Sequence, residues 1–248
     1  RETSPNFEPI LFMRSFLDKH ATKLFYGSWL LLNLLQAWHT QLWDDEAYYW
    51  IYSHFLAWGY FDHPPMIAVL IKAGYGLFPD ELGVRLFIVL LNTLTIYLIQ
   101  RLLPRGNRNL FFAIMASLLL AQLGGYLAVP DIPLLFFIAL FFVVYRHFIS
   151  RNNPASALLL GLSMTLMLYS KYHGVLVIFF TLLSNLRLLR QPLAWLAVGT
   201  AVLLFSPHLY WQYAHGFPSL QYHLFERNSV AYNYSFSVEY LGGQLALA

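Results

Sequence analysis

The sequence predicts an all-α protein threaded repeatedly through a membrane, and three observations predict it. Of 248 residues, 58% are hydrophobic, 18% aromatic and only 11% charged, and mean hydropathy is +0.54. A soluble domain cannot cover so much apolar surface with so few charges, which disfavours a single soluble helical core. Apolar runs near the ~20 residues needed to cross a bilayer recur along the chain. Lys and Arg stand at the ends of those runs rather than in one patch. The net charge of +3 therefore reflects topology and not a nucleic-acid footprint. Cysteine is absent, which excludes disulfides, thiol catalysis and cysteine-ligated metal. No cleavable signal peptide is visible, because Arg1 to Lys23 mixes charge and polarity without a short apolar core.

Taken in order, seven spans are expected, at about 24–42, 84–103, 109–127, 132–149, 155–170, 174–189 and 192–211. Residues 1–23 precede them as a cytoplasmic N-terminal segment, and 24–248 form one transmembrane domain. The third, fifth and sixth spans are short, which fits a tilted, re-entrant or internally packed helix. The chain begins without methionine, and Leu241 to Ala248 reads as the opening of another span. It is therefore expected to be the N-terminal part of something longer.

Orientation follows from the cations. Arg14, Lys19 and Lys23 precede the first span; Arg101, Arg105 and Arg108 lie between the second and third. Arg146 and Arg151 follow the fourth, and Arg187 and Arg190 the sixth. These four groups share one face, which should be cytoplasmic. The acidic residues Asp44, Asp45, Glu46, Asp62, Asp80, Glu81, Asp131, Glu226 and Glu239 fall on the other. The first external loop, 43–83, is too long for a connector. Ala47, Ile51, Phe55 and Trp58 recur at helical spacing, and Met66 to Ala73 is apolar but far too short to span. Both segments read as helices lying in the interface, anchored by Trp43, Trp50 and Trp58. A second external region, 214–239, is polar and aromatic, with His215, Phe217, His223 and Tyr232 among its residues and Tyr213 just before it.

Carboxylates at a membrane surface are costly and usually functional, so each is weighed against a bland role. Asp45 opens an amphipathic helix and suits an N-cap, but one cap needs one carboxylate and here three stand in a row. Asp131, in Pro130-Asp131-Ile132-Pro133, also suits a cap, with Pro133 in the first turn. The run Trp58 to Pro65 reads as a turn with a rigid double proline beside Asp62 and His63. Lys171 either snorkels to the headgroups or meets a phosphate, alongside Arg85 or His173. Asp62, His63, His215 and His223 are metal-binding residue types, without ligand spacing that defines a site. No P-loop, GxGxxG or GxSxG is present, so nucleotide-driven chemistry and an α/β-hydrolase are unsupported.

The runs Asp44-Asp45-Glu46-Ala47-Tyr48-Tyr49-Trp50 and Trp58-Gly59-Tyr60-Phe61-Asp62-His63-Pro64-Pro65-Met66 resemble the first external loop of a known family. It is that of the bacterial dolichyl-phosphate-mannose-protein mannosyltransferase-like membrane glycosyltransferases. They belong to the GT-C superfamily, with the aminoarabinose transferase that modifies lipid A. Gly83-Val84-Arg85, Pro130-Asp131-Ile132-Pro133, Ser170-Lys171-Tyr172 and the stretch from Ser206-Pro207-His208 to His215-Gly216-Phe217-Pro218-Ser219 match in the same order. The resemblance covers nearly the whole chain beyond its first 20 residues.

It implies an enzyme of the bacterial inner membrane, active on the periplasmic side. A sugar would pass, with inversion, from a polyprenyl-phosphate carrier to a hydroxyl of a glycan, lipid or protein acceptor. Asp45 then maps to the general base and Asp131 to a second catalytic carboxylate, with Asp44 left as a rival base. Lys171, Arg85, Asp44, Glu46, Tyr48, His63 and His215 are the expected substrate contacts. Asp62 and His223 are the candidate ligands should a divalent metal serve as cofactor. The partners expected are the carrier-linked sugar, the acceptor and membrane lipids, with no nucleic acid. Family members are about twice as long as this chain. The rival classes are an inactive, lipid-binding family relative, and a transporter, which would bury its charges mid-span.

Overall fold

The computed structural model describes residues 8–104, 106–118, 124–227 and 233–247. Arg105, Tyr232, the first seven residues and positions 119–123 of the third expected span lie outside them. Among the described residues the protein is helical throughout, without strands. The first external loop holds the two short helices expected of it. α1 (Glu8–His39) leads into that loop; α2 (Asp44–His54) and α3 (Met66–Tyr75) form it. α4 (Glu81–Leu102), α5 (Arg108–Ser117), α6 (Asp131–Arg151), α7 (Pro154–Ser170), α8 (Gly174–Ser184) and α9 (Pro192–Ala214) make the body. Two more follow, the single turn α10 (Pro218–Gln221) and α11 (Tyr234–Leu247).

Three of these, α4, α6 and α9, are long and apolar enough to cross a membrane. Seven such spans were expected, and the shortfall has physical causes. α1 has the length, at 32 residues, but Asn33, Gln36 and His39 dilute its apolar stretch. α7 covers 17 residues, just under a bilayer's worth. α8 breaks after 11 residues, about 17 Å at helical rise, and passes into a 3-10 turn over Leu186–Arg190. α1 also begins at Glu8, so most of the expected N-terminal segment is continuous with the first span.

The helix ends follow local chemistry. Asp80 caps α4 by accepting from the Gly83 N–H at 3.0 Å, and Asn153 caps α7 through the Ser156 N–H at 2.9 Å. α2 stops at His54, four residues before its apolar pattern ends. Beyond it the Tyr60 hydroxyl is bound between the carbonyls of Tyr52 and Phe55, at 3.0 and 3.1 Å, and closes the turn. The predicted apolar stripe of α2 points outward, with Ile51 53% and Phe55 75% exposed. Glu46, Tyr49 and Ser53 form its buried face. An interfacial helix gives its apolar side to lipid, and an outward-facing stripe has the direction such a helix needs.

Two apolar clusters hold the end of the bundle that carries α2 and α3. Ile67 and Ile71 of α3 pack with Val84 and Ile88 of α4 and with Tyr49, while Ala37 of α1 meets Val89 and Tyr126. The larger core joins α6, α7, α8 and α9 through Phe137, Phe141, Phe148, Met164 and Ala197. α7 and α9 approach most closely at Gly161, where a Cβ would strike the Ala197 carbonyl and the Thr200 side chain. Small residues permit this contact between helices in lipid. Gly161→Leu should therefore lower the melting temperature in detergent by several degrees, since overpacking costs about 1–3 kcal/mol. Gly199→Leu, with nothing within 4 Å of its Cβ, should not. Equal effects would refute the close approach.

Pro207 interrupts α9 and leaves the Leu203 carbonyl without its helical N–H. The Ser206 hydroxyl donates to that carbonyl at 2.7 Å, and the Tyr169 hydroxyl donates to the neighbouring Leu204 carbonyl at 2.9 Å. The proline is thus accommodated inside the bundle, one residue before His208.

Candidate functional site

At the head of α2 three adjacent carboxylates separate into two kinds. Glu46 is 0% exposed, as is its partner Arg85. The guanidinium fork grips both Glu46 oxygens, Nε at 2.7 Å and Nη2 at 2.5 Å. Its other N–H groups donate to the Ala37, Thr40 and Gln41 carbonyls and the Thr40 hydroxyl, at 2.7–3.0 Å. Tyr126 lies beneath the guanidinium, 5.1 Å from ring centre. Glu46 completes its shell with the backbone N–H groups of Trp43, at 3.0 Å, and Ala128, at 2.8 Å. The first contact is the reach-back of a capping-box glutamate. Arg85 has no N–H left for a substrate phosphate, and Glu46 has no open oxygen. The two expected substrate contacts are instead a closed clamp joining α1, α2, α4 and the approach to α6.

Asp44 and Asp45, by contrast, are exposed. With Trp43 as N-cap and Glu46 serving the capping role, neither is needed to start the helix. Both line a cavity of about 690 Å³ bounded by Thr40, Gln41, Trp43 and Tyr126. Helical spacing separates them: Asp45 shares a face with Tyr49, four residues on, and Asp44 with Tyr48. The buried Tyr49 phenol is raised, first by desolvation and then by the charges of Asp62, Asp45 and Asp131. Charges from α2, the following loop and α6 therefore all act on one tyrosine.

The Asp62 carboxylate accepts from the hydroxyls of Tyr48 at 3.2 Å and Tyr52 at 3.1 Å, which also contact each other. His63 Nδ1 lies 2.8 Å from the other oxygen, off the direction of a true hydrogen bond. Burial alone would raise this carboxyl, but His63, Tyr52 and Tyr48 together bring it below its ordinary value. A depressed carboxyl contributes stability above the unfolded value, about 3.9, and loses it as pH falls through the folded value. The near-ultraviolet circular dichroism of this tyrosine cluster should stay constant from neutral pH to about pH 5 and change only in stronger acid. A transition near neutrality would contradict the arrangement.

Asp131 and Lys171, expected as separate groups, form an ion pair. Lys171 Nζ lies 2.7 and 2.8 Å from the two Asp131 oxygens, with Asp131 56% and Lys171 18% exposed. Beside them opens a cavity of about 880 Å³. Val175, Leu176, Phe205, Leu209, Leu220 and Leu224 make much of its wall, and Tyr172, His173, His223 and Arg227 supply polar groups. Desolvation, then Lys171, lowers His173, so its ring is neutral at neutral pH.

Four buried or half-buried side chains tie this cavity to the first external loop, and their proton positions are fixed by elimination. The Trp58 carbonyl accepts from His208 Nδ1 at 2.6 Å, so that nitrogen carries the hydrogen and Nε2 must accept. Tyr172 donates to it at 3.0 Å; burial pushes this phenol up to about 12, so it keeps its proton. Ser219 donates to the Tyr60 carbonyl at 2.8 Å. Both hydroxyls then receive from Gln212 Nε2, at 3.0 and 2.7 Å. His208→Phe strips the Trp58 carbonyl of its donor and the Tyr172 hydroxyl of its acceptor. It should expose the loop to limited proteolysis near Trp58, while His208→Asn should restore part of the protection.

Among the described residues no group of three His, Asp or Glu side chains forms a metal site. Asp62 and His223 do meet, but through His223 Nε2 and the Asp62 backbone carbonyl, at 2.9 Å. The carboxylate itself is filled by two hydroxyls and His63, so this pair does not fit a divalent cation. His215 is exposed, stacks on Trp211 with ring centres 4.2 Å apart and turns Nδ1 to the Trp211 carbonyl at 2.8 Å. It does not line the cavity. Arg227, which is not among the expected substrate contacts, does, as do His208 and Gln212. Sequence pointed to His208 only through the Ser206-Pro207-His208 match, and Gln212 falls inside the matched stretch without being picked out.

Comparison with known proteins adds the lineage. A lipid A galacturonosyltransferase, RgtD, of Rhizobium johnstonii is 29% identical over 189 residues. The match takes in 71% of this chain and 39% of that protein, so the chain spans about two-fifths of its relative. No solved structure matches. The family described as dolichyl-phosphate-mannose-protein mannosyltransferase matches residues 62–211, more than half of the chain and the stretch from Asp62 through Asp131 and Lys171 to α9. On that match, the chain is a membrane protein belonging to the dolichyl-phosphate-mannose-protein mannosyltransferase family.

Proposed function

We propose that this protein transfers a sugar from a polyprenyl-phosphate carrier to an acceptor hydroxyl on the periplasmic face of the inner membrane. The observation that carries the reading is the 880 Å³ cavity, a mostly apolar trough with basic groups along it, next to the Asp131–Lys171 pair. A carrier with a long hydrocarbon tail and one phosphate has that same division of chemistry. Its tail suits Phe205, Leu209, Leu220 and Leu224, and its phosphate suits Arg227 and Lys171, with the neutral His173 donating a hydrogen bond.

In the transfer, the acceptor oxygen attacks the anomeric carbon as the carbon–oxygen bond to the carrier phosphate breaks. Asp45 takes the hydroxyl proton, acting as general base. The bonding electrons leave on the phosphate, whose growing charge Lys171 and Arg227 stabilise more in the transition state than before it. A single displacement of this kind inverts the anomeric centre. Asp131 orients Lys171, so the second catalytic carboxylate acts through the amine. The curated relative acts on lipid A by name, which makes a sugar hydroxyl of a glycolipid the first acceptor to try.

The test is binding of undecaprenyl phosphate to the purified protein, against phosphatidylglycerol, in wild type, Lys171→Ala and Arg227→Ala. Saturable preference for the prenyl phosphate, weakened about tenfold by either substitution, supports the reading. Equal binding of both lipids, or indifference to both substitutions, refutes it.

A further inference from the structure

The opposite, arginine-rich face holds a second cavity. It measures about 660 Å³ and opens between the last turn of α4, the last turns of α6 and the turn after α8. Arg101, Arg146 and His147 line it with Tyr145, Asn185 and the apolar Val143 and Ile149. The charge bias assigns this face to the cytoplasm, where arginines are expected for topology alone. These two are held in place as well. Arg146 Nη1 is anchored on the Arg101 and Leu102 carbonyls, each at 3.3 Å. The Arg101 guanidinium rests on the Tyr97 ring, 5.5 Å from its centre. Among the described residues neither pairs with a carboxylate. Tyr145 accepts from the Asn185 amide at 3.1 Å, which leaves its own proton for an incoming acceptor.

We infer that this cavity binds the phosphate of an anionic phospholipid of the cytoplasmic leaflet. Two anchored guanidiniums and a phenol proton suit phosphate oxygens. Val143 and Ile149 beside them suit the glycerol and first methylenes, which a free anion would not use. Basic pockets between helices on the cytoplasmic side take lipid headgroups by this chemistry. The site is separate from the transfer chemistry and stands without it.

The experiment is native mass spectrometry of the purified, delipidated protein titrated with phosphatidylglycerol or phosphatidylcholine. Wild type should bind phosphatidylglycerol saturably and prefer it. Arg101→Gln/Arg146→Gln should weaken that binding about tenfold, and Ser150→Asp, an exposed change at the cavity's edge, should do the same without removing an arginine. Arg187→Gln/Arg190→Gln removes equal charge outside the cavity and should leave binding within about twofold. Equal losses in both arginine double variants would overturn the site in favour of diffuse surface charge. Displacement of the lipid by millimolar inorganic phosphate would overturn the lipid assignment.

Discussion

Arg85→Ala is expected to cost about 3–5 kcal/mol of stability, enough to prevent recovery of folded protein from membranes. The cost comes from what is left behind. Glu46 would stay 0% exposed with its charge uncompensated, which is far worse than losing an ion pair at the surface. The carbonyls of Ala37, Thr40 and Gln41 would lose their donor at the end of α1. Arg85→Lys should fail nearly as badly, because one ammonium cannot reach both carboxylate oxygens and four further acceptors. Glu46→Leu/Arg85→Met removes both charges and should be milder than either single change. Yields and melting temperatures in detergent for wild type, Glu46→Leu, Arg85→Met and the double variant form a double-mutant cycle. Additive losses would mean that the pair is not the clamp described.

That clamp also marks how far the sequence could be read. Arg85 could be recognised as a cation beside an apolar helix, and Glu46 as one of three acids. Their pairing across 39 positions could not, because it depends on α2 folding back over α4. The two short helices of the first loop and the resemblance were legible because each rests on local pattern: short amphipathic or apolar segments and contiguous motifs. The number of bilayer-length helices was less so. Apolar runs such as 174–189 satisfy hydropathy, while Asn185 and the turn after it end α8 early. Lys171 and Asp131 were both picked out, yet their direct contact joins the start of α6 to the end of α7 and has no sequence signature. His208 was hidden for the opposite reason. A histidine in an apolar helix reads as filler until the Trp58 carbonyl is seen against its ring.

Asp45→Asn should reduce sugar transfer at least about 10²-fold, the usual cost of removing a general base, with folding and carrier binding unchanged. Structure and energetics make this a clean substitution. Asp45 is exposed, holds no hydrogen bond among the described residues, and leaves the capping of α2 to Glu46, so the change falls on chemistry rather than stability. Asp44→Asn is the matched control: it lines the same cavity but shares its helix face with Tyr48 rather than with the buried Tyr49, and should cost less than about tenfold. Asp131→Asn belongs between them, since it frees Lys171 without removing the amine; its loss should appear in donor dependence more than in turnover at saturation. The measurement is single-turnover transfer from a prenyl-phosphate sugar to a glycolipid acceptor, beside carrier binding for each variant. If Asp44→Asn proves the more damaging of the neighbours, the base is Asp44. If neither substitution slows transfer while wild type is active, proton removal lies elsewhere and the α2 carboxylates serve only to hold the acceptor.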